Sequence, residues 1–303
     1  MELRHLDTLL AIDRHGSFTA AADALHTVQS NVSDMVRQLE RELGAPLLVR
    51  GRRGAQPTEF GRVVIERARR VRHEIDALRQ DVSMIQGLEM GTASLGLVGT
   101  TSRWLAPAVV AELRRRGTGL QVRVHEGASE RLANEVAEQQ LAQAIVTEPV
   151  LDERLDVETL LAEDLVVLAP ESIDLGDGPI GLVDLVGHPL ILPPPANPLR
   201  AEVEQAARSA GVELDVPLEV EGVRLIPDLV AAGVGITVIP ETAVPVDVAG
   251  MRAIPIADMP QRRLALVSVR GGYLSLADQA VREVVVTLVA LERPARVQRP
   301  ATT

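Results

Sequence analysis

Polar residues between positions 27 and 37 have the types and spacing of a hydrogen-bonding surface on one helix. They are Thr27, Gln29, Ser30, Asn31, Ser33, Asp34 and Arg37. A glutamine amide can pair with adenine through two hydrogen bonds, and a serine hydroxyl can serve either a donor or an acceptor edge in the major groove. Asp34 departs from this chemistry because its charge repels phosphates. It can still accept a hydrogen bond from cytosine N4, or pair with Arg37 one turn later.

The apolar residues of the same segment predict which side of the helix is buried. They advance at steps of four, four, three and four along Val28, Val32, Val36, Leu39 and Leu43. Thr27 is the expected N-cap, and Gly44 is the expected end of the helix.

Two shorter helices precede this one. The first covers about residues 3–14 and ends at Gly16, and Ser17 is a suitable N-cap for the second, alanine-rich helix over 18–25. A tight turn followed by an amphipathic helix with a small polar outer face is typical of a helix-turn-helix. A plain helical bundle with a polar exposed side is the alternative.

The segment "PLLVRGRRGAQPTEFG", residues 46–61, predicts a hairpin directly after these helices. Its tip carries Arg50, Arg52 and Arg53, three guanidinium groups suited to phosphates or to the minor groove. A hairpin beside a recognition helix favours the winged version of the helix-turn-helix over the bundle.

The charge of the chain is divided unevenly. The whole sequence has a formal net charge of -11, and all 31 of its basic residues are arginine. Residues 1–72 hold 12 Arg against 9 acidic residues, a balance of +3, and the remainder holds 19 Arg against 33, a balance of -14. The segment expected to meet a polyanion is therefore basic, although the chain as a whole is acidic.

A heptad-like apolar repeat follows the hairpin on a long predicted helix that starts after Thr58. Steps of four and three residues join Val64, Ala68, Val71, Ile75, Leu78, Val82 and Ile85. Such a repeat predicts a coiled-coil dimer seam, since flanking arginines and acids leave no wide apolar face for packing within the same domain.

From residue 92 onwards, predicted strands alternate with predicted helices, which is typical of a parallel sheet covered by helices. Within this part, "GTTSRW" places Thr100, Thr101 and Ser102 between a strand and a helix. Hydroxyls and free backbone N–H groups at the positive end of a helix can bind an anion, whereas the alternative is an ordinary helix cap.

The sequence lacks the residues that several classes of function require. The chain has no cysteine, which excludes disulfides, thiolate metal sites and cysteine nucleophiles. Its six histidines have no metal-ligand spacing, and the motifs of zinc proteases, P-loop proteins and serine hydrolases are absent. We therefore expect no enzyme, no metal and no cofactor. The charged amino-terminal segment and the lack of an 18-residue apolar run predict a cytoplasmic protein without a membrane partner.

The order and spacing of residues 1–62 resemble the amino-terminal domain of LysR-type transcriptional regulators. The resemblance rests on Ser17-Phe18, Ala21-Ala22, Leu25, Gln29-Ser30, Val32-Ser33, Leu39-Glu40, Leu43-Gly44, Leu47-Leu48, Arg50 and Thr58-Glu59-x-Gly61. The acidic part resembles the effector domain of the same regulators more loosely, through "EGASERLANEVAEQQLAQAIV", "EDLVVLAP", "VDLVGHPLILPP" and "LVAAGVGITVIPETAV". At Asp34 the family very often has arginine or another donor, which puts phosphate contact from that position in doubt.

This resemblance implies a fold and a set of boundaries. The fold is α/β overall, with a winged helix-turn-helix over 1–58, a linker helix over 59–88, and a two-lobed α/β domain like periplasmic solute-binding proteins (type 2) over 89–293. Residues 294–303 are an expected disordered tail.

The resemblance also implies DNA contacts, partners and a ligand. The implied DNA contacts are Thr27, Gln29, Ser30, Asn31, Ser33 and Arg37, with Arg52 and Arg53 in the wing. Expected partners are double-stranded DNA with a dyad operator, a second copy in a dimer or a tetramer, a small anionic effector, and RNA polymerase. The implied effector-binding residues are Thr100, Thr101, Ser102, Arg103, Thr147, Ala196, Asn197, Gly222 and Val223. The single tryptophan, Trp104, is expected near this pocket and should report on effector binding.

Alternatives remain at this stage. The acidic domain could serve only as an oligomerisation scaffold without a ligand. A solute-binding protein would require a signal peptide and no winged domain, and an enzyme would require a catalytic constellation. Effector identity, operator sequence and the direction of regulation do not follow from the sequence.

Overall fold

The computed structural model of the chain describes residues 1–51, 54–86, 91–176, 178–245, 249–257 and 259–291. The chain divides into two compact units, Met1–Glu89 and Met90–Thr303. The expected tail lies outside the described residues, and so do the wing-tip residues Arg52 and Arg53.

The first unit begins with three helices: α1 (Leu3–His15), α2 (Phe18–Ala24) and α3 (Gln29–Leu43). Gly16 and Gly44 end α1 and α3 with left-handed backbone, and the Ser17 hydroxyl caps α2 by accepting from the N–H of Ala20, as predicted. Ala21 and Ala22 of α2 are buried against the apolar side of α3, so small side chains allow the two helices to approach closely.

The predicted hairpin is present as β1 (Leu48–Gly51) and β2 (Gly54–Pro57), which pair antiparallel. Its second strand is fixed to the helices because the N–H of Ala55 donates to the carbonyl of Gly16 at 2.9 Å. Gly54 needs its glycine, since its φ is +99° and an added Cβ would lie 2.2 Å from the Gly16 oxygen.

Helix α4 (Glu59–Ile85) follows directly, and the Thr58 hydroxyl caps it as predicted. The expectation that α4 has no packed face in its own domain is wrong for its first half. Ile65 and Ala68 are buried in the core with Leu9 and Leu39, and Val64 packs against the same cluster. Outside that core, arginines of α4 pair with acids of α1: Arg69 with Asp13 at 2.8 Å and Arg72 with Asp7 at 3.2 Å. The contact between α1 and α4 therefore has only a narrow apolar strip, with ion pairs beside it.

The exposed apolar side chains of α4 form the candidate seam in the structure. Of the predicted seam residues, Val71, Leu78, Val82 and Ile85 are exposed, with Ile85 77% exposed and Leu78 63% exposed. Ile75 is half-buried. Val71, Leu78, Val82 and Ile85 therefore remain available to a partner, whereas Val64 and Ala68 do not.

The second unit contains two lobes, each built on a sheet. The first lobe has strands β3 (Thr92–Val98), β4 (Gln121–Gly127), β5 (Gln143–Thr147), β6 (Leu155–Glu163) and β12 (Arg262–Val269), in the order β4-β3-β5-β12-β6. Helices α5 (Gly99–Arg115), α6 (Ser129–Ala137) and α9 (Leu276–Leu291) pack on this sheet. Its core is built from side chains such as Leu95, Leu97, Ile145, Leu266 and Val285, all fully or almost fully buried.

The second lobe has a sheet of order β10-β7-β11, formed by β7 (Leu165–Pro170), β10 (Thr237–Pro240) and β11 (Met251–Pro255). A short parallel pair, β8 (Ile191–Leu192) and β9 (Leu218–Glu219), and helices α7 (Pro198–Ser209) and α8 (Ile226–Ala231) complete it. The chain crosses between the lobes from β6 to β7 and from β11 to β12.

The predicted parallel sheet is correct only in part. Strand β3 is parallel to β4 and β5, but β12 runs antiparallel to both β5 and β6, and β7 is antiparallel to both its neighbours. Strands β6 and β11 were not predicted. Strand β6 lies at a sheet edge, and its residues 156–159, which include Asp156 and Glu158, are all exposed. Among the described helices, none is long and apolar enough to cross a membrane.

Candidate nucleic-acid interface and ligand cleft

The exposed side of α3 carries most of the predicted base-contacting residues. Gln29, Ser30, Asn31, Asp34 and Arg37 are exposed, while Val32, Val36 and Leu39 are buried on the opposite side. Val28 and Leu43, predicted at the two ends of the apolar stripe, are 66% and 42% exposed. The buried stripe thus holds the helix in the unit and leaves its polar side free to enter a groove.

Two predicted residues have different positions from those expected. Thr27 does not cap α3: the helix starts one residue later, from Val28, and the Thr27 hydroxyl accepts from the amide of Asn31 at 3.0 Å. Ser33 is only 5% exposed, and its hydroxyl accepts from the amide of Gln29 at 3.3 Å. Ser33 lies about 100° around the helix from Val32, at the margin of the buried side. It therefore orients Gln29 within this structure, and Gln29 is the exposed group.

The first turn of α3 has no side-chain cap. The free N–H groups of an uncapped first turn, at the positive end of a 15-residue helix, suit a phosphate oxygen. The same turn carries Gln29 and Ser30, so phosphate contact and base contact would be combined at one end of the helix.

Asp34 pairs with Arg37. The Nη2 atom of Arg37 lies 2.8 Å from Oδ1 of Asp34, and the side chains are 66% and 71% exposed. The Nε atom of Arg37 also donates to the carbonyl of Ser33 at 3.3 Å. Of the two uses expected for Asp34, the structure contains the ion pair that orients Arg37.

The wing contributes no described cationic side chain. Arg52 and Arg53 lie outside the described residues, and so does the side chain of Arg50. Their predicted contacts stay predictions.

The second unit has a cleft of about 340 Å³ between its two lobes. From the first lobe it is lined by residues 98–100, 126–129, 147 and 262, and from the second by residues 194, 196–199 and 221–223. Six of the nine predicted effector residues line it: Thr100, Thr147, Ala196, Asn197, Gly222 and Val223.

The other three predicted residues do not line the cleft. Thr101 is a fully buried residue of α5, and the Ser102 hydroxyl donates to Glu126 at 2.5 Å. Arg103 lies in a separate surface groove along α5. One turn of helix points only part of its residues to one side, so three consecutive residues cannot all reach the cleft. Trp104 lies on α5 but is likewise outside the cleft lining.

Three helices begin at the cleft. These are α5 at Gly99, α6 at Ser129 and α7 at Pro198; neither α5 nor α6 has a side-chain cap. The N-cap of α7 is Asn197, whose side chain accepts from the N–H of Leu199. Helix N-termini carry a positive potential, so their convergence favours a negatively charged ligand group at the cleft floor.

Sequence reasoning missed several cleft residues, of which Arg262, Glu126 and Ser129 matter most. Arg262 donates from Nη2 to the Thr147 hydroxyl at 2.6 Å, and Ser129 accepts from the N–H of Thr147 at 3.0 Å. Glu126 lies 3.3 Å from Arg224 of the second lobe. Arg262 is 115 residues from Thr147 in sequence, so no local pattern could have placed them together.

Two carboxyl groups lie close to Arg262. Burial raises the pKa of Glu163, which is fully buried, despite the opposing effect of Arg262 and of a hydrogen bond from the Thr242 hydroxyl. Burial also raises the pKa of Glu202, again against the effect of Arg262. Both shifts favour the neutral carboxyl over the carboxylate.

Comparison with known proteins identifies the family. Residues 3–62 match the model of bacterial regulatory helix-turn-helix proteins of the lysR family, and residues 86–290 match the LysR substrate binding domain. The hydrogen peroxide-inducible genes activator of Dickeya chrysanthemi is 30% identical over 297 residues, covering 93% of this chain and 95% of that protein. The OxyR dual regulator of Escherichia coli K12 is 28% identical over 251 residues, 81% of each chain.

Solved structures agree on the fold. A full-length OxyR variant from Pseudomonas aeruginosa has a TM-score of 0.71 at 20% identity and covers 96% of this chain and 95% of its own. Full-length BenM has a TM-score of 0.58 at 26% identity, with complete coverage of both chains. Together with the helix-turn-helix and the two-lobed second unit, these matches establish that the chain belongs to the LysR family, as a DNA-binding transcriptional regulator with an effector-binding domain.

Proposed function

We propose that two copies of this regulator bind a dyad operator together, in an assembly of two or four chains. We further propose that a small anionic metabolite in the cleft changes its operator binding or its activation of transcription. The observation that carries the proposal is the combination of an exposed polar side on α3 with a cleft in the second unit at which three helices begin. Catalysis is not part of this proposal, and RNA polymerase is a proposed partner on promoter DNA.

The operator contacts are assigned to the exposed groups at the start of α3 and at its second and third turns. Gln29, Ser30 and Asn31 supply base-edge donors and acceptors, and Arg37 supplies a cation whose direction Asp34 sets. Ser33 acts through Gln29. The wing arginines remain proposed phosphate contacts.

The dimer is assigned to α4. After its first turns pack on the domain core, Val71, Leu78, Val82 and Ile85 remain exposed on a charged helix. Exposed apolar residues at heptad spacing are buried when two such helices pair. Pairing two recognition helices would match the two-fold symmetry of a dyad operator. We propose the domain division 1–58, 59–88 and 89–293 on this basis.

The signal is proposed to be a bound ligand and not an oxidised thiol. The relative from Dickeya chrysanthemi is a hydrogen peroxide-inducible genes activator, but this chain has no cysteine. It therefore lacks the thiolate from which sulfenic acids and disulfides form. Peroxide should leave its operator affinity unchanged.

Footprinting of the DNA flanking its gene, with and without a metabolite panel, tests the proposal. We expect two protected half-sites and a change in protection or bending with at least one carboxylate metabolite. Gln29→Ala should remove the footprint, whereas His73→Ala on α4 should keep it. Operator affinity that is independent of every ligand would favour the alternative, in which the second unit is only an oligomerisation scaffold.

A further inference from the structure

Arg262 occupies the point where the chain crosses between the two lobes. It is the first residue of β12, directly after the second crossover, and its register partner on β6 is Glu163, the residue that precedes the first crossover. Its side chain is only 5% exposed, yet the residue lines the cleft. A buried guanidinium at a cleft floor stays charged, because arginine does not lose its proton in proteins.

The hydrogen bonds of this guanidinium are incomplete. Nη2 donates to the Thr147 hydroxyl, but Nη1 and Nε have no hydrogen-bond partner. Nε lies 3.4 Å from Glu202 of α7 without the geometry of a hydrogen bond, and Glu163 lies 4.0 Å away. Buried donors without partners are costly, so an additional acceptor in the cleft would stabilise this arrangement.

Thr100 provides a second polar group without a hydrogen-bond partner in the same cleft. It is 7% exposed, and its hydroxyl has no hydrogen-bond partner. It lies in the uncapped first turn of α5, where backbone N–H groups add to the positive potential. The acids of the lining, Glu126 and Glu221, are both exposed, and Glu126 is already paired with Arg224.

We propose that Arg262 anchors the negatively charged group of the effector, a carboxylate or similar oxyanion, together with the hydroxyl of Thr100. This inference rests on the proposed effector site and names the residue that selects for charge. The neighbouring carboxyls do not saturate the guanidinium, because neither Glu202 at 3.4 Å nor Glu163 at 4.0 Å accepts a hydrogen bond from its Nε.

Binding at Arg262 would also reach the second lobe. Arg262 holds Thr147 of the first lobe and faces Glu202 on α7 of the second. An anion accepting from Nε or Nη1 competes with Glu202 for the same guanidinium. Ligand occupancy is thereby coupled to the contact between the lobes, which gives the ligand a differential interaction with two lobe arrangements.

A pair of neighbouring threonines supplies a matched test. Thr100 and Thr101 are both buried, and both hydroxyls lack partners, but only Thr100 lines the cleft. The probes are mono-, di- and aromatic carboxylates, each beside its neutral amide, with sulfate and phosphate as inorganic oxyanions. Thermal shift selects binders for the full-length protein at constant ionic strength, and calorimetry measures their affinity.

We expect at least one carboxylate, and not its amide, to bind the wild type. Thr100→Val should weaken that affinity about tenfold through loss of a hydrogen bond to a charged group, and Thr101→Val should leave it unchanged. Arg262→Gln should weaken it about 100-fold, with Arg262→Lys in between. Equal dependence of sulfate or phosphate on Arg262 and Thr100 would support the anchor and make an inorganic oxyanion the ligand.

Wild-type affinity in both Thr100→Val and Arg262→Gln would overturn the inference, as would equal binding of acid and amide. Absence of binding by every anion probe at millimolar concentrations would also overturn the inference, while normal operator binding would leave the DNA-binding function standing. Loss of operator binding by the wild type would instead refute the proposed function itself. Thermal unfolding without ligand identifies any variant that fails to fold.

Discussion

Replacing Asp34 with alanine tests how α3 balances affinity against selectivity. Arg37 is held 2.8 Å from the Asp34 carboxylate, and both side chains are exposed. Exposed pairs contribute only about 0–1 kcal/mol to stability, so the melting temperature should hardly change. The substitution instead releases a guanidinium on the exposed side of α3 that is proposed to contact DNA, and raises the charge of residues 1–72 from +3 to +4.

The size of the effect follows from counterion release. One new phosphate contact per protomer makes two per dimer, and each steepens the dependence of log affinity on log salt by about 0.9. Between 200 and 50 mM salt, a fourfold change, a slope difference of about 1.8 corresponds to about a 12-fold larger gain in nonspecific affinity for the variant. Operator affinity should rise less because Arg37 loses its fixed direction, so the preference for the operator narrows.

Fluorescence anisotropy with operator and scrambled duplexes, each over a salt series, measures both quantities. Glu74→Ala is the control, since it removes the same charge from an exposed position on α4. Unchanged slope and unchanged operator preference in Asp34→Ala would refute the argument and make Asp34 a bystander. Loss of preference at one C·G position alone would instead indicate direct contact with cytosine N4.

Three further predictions concern assembly, pH and packing. Leu78→Asp, at a 63% exposed position, should dissociate the oligomer in analytical ultracentrifugation, whereas Val183→Asp at a 62% exposed position should not; an intact oligomer would exclude the seam. Burial raises the pKa of Glu163, so the stability contributed by its protonated form is complete below its ordinary value of 4.5 and is lost as the pH rises through the folded value. Between pH 5 and pH 8, the free energy of unfolding of Glu163→Gln, measured by denaturation, should therefore rise relative to that of the wild type. The same pH dependence in both proteins would contradict this. Gly61→Ala should destabilise the first unit by roughly 1–3 kcal/mol, since its Cβ would meet the Leu47 carbonyl oxygen at 2.0 Å; an unchanged denaturation midpoint would contradict that contact.

The sequence alone predicted most helix ends and the buried side of α3 in the first unit. Helix ends followed from Gly16, Gly44, Ser17 and Thr58, because left-handed backbone and capping hydroxyls are requirements of a single turn. The apolar period of α3 correctly indicated its buried side through Val32, Val36 and Leu39. The spacing of residues 1–62 was also specific enough to identify the family.

Only the tertiary structure decided which side chains meet. An apolar period indicates that a face is buried but not against what, so it could not separate Ala68, packed in its own domain, from Leu78, which is exposed. Arg262 reaches the cleft because two distant crossovers place β12 beside both β5 and β6, and nothing in its neighbouring residues signals that position. Contacts over such separations depend on the topology of the sheet, and for that reason the guanidinium at the cleft floor was found only in the folded chain.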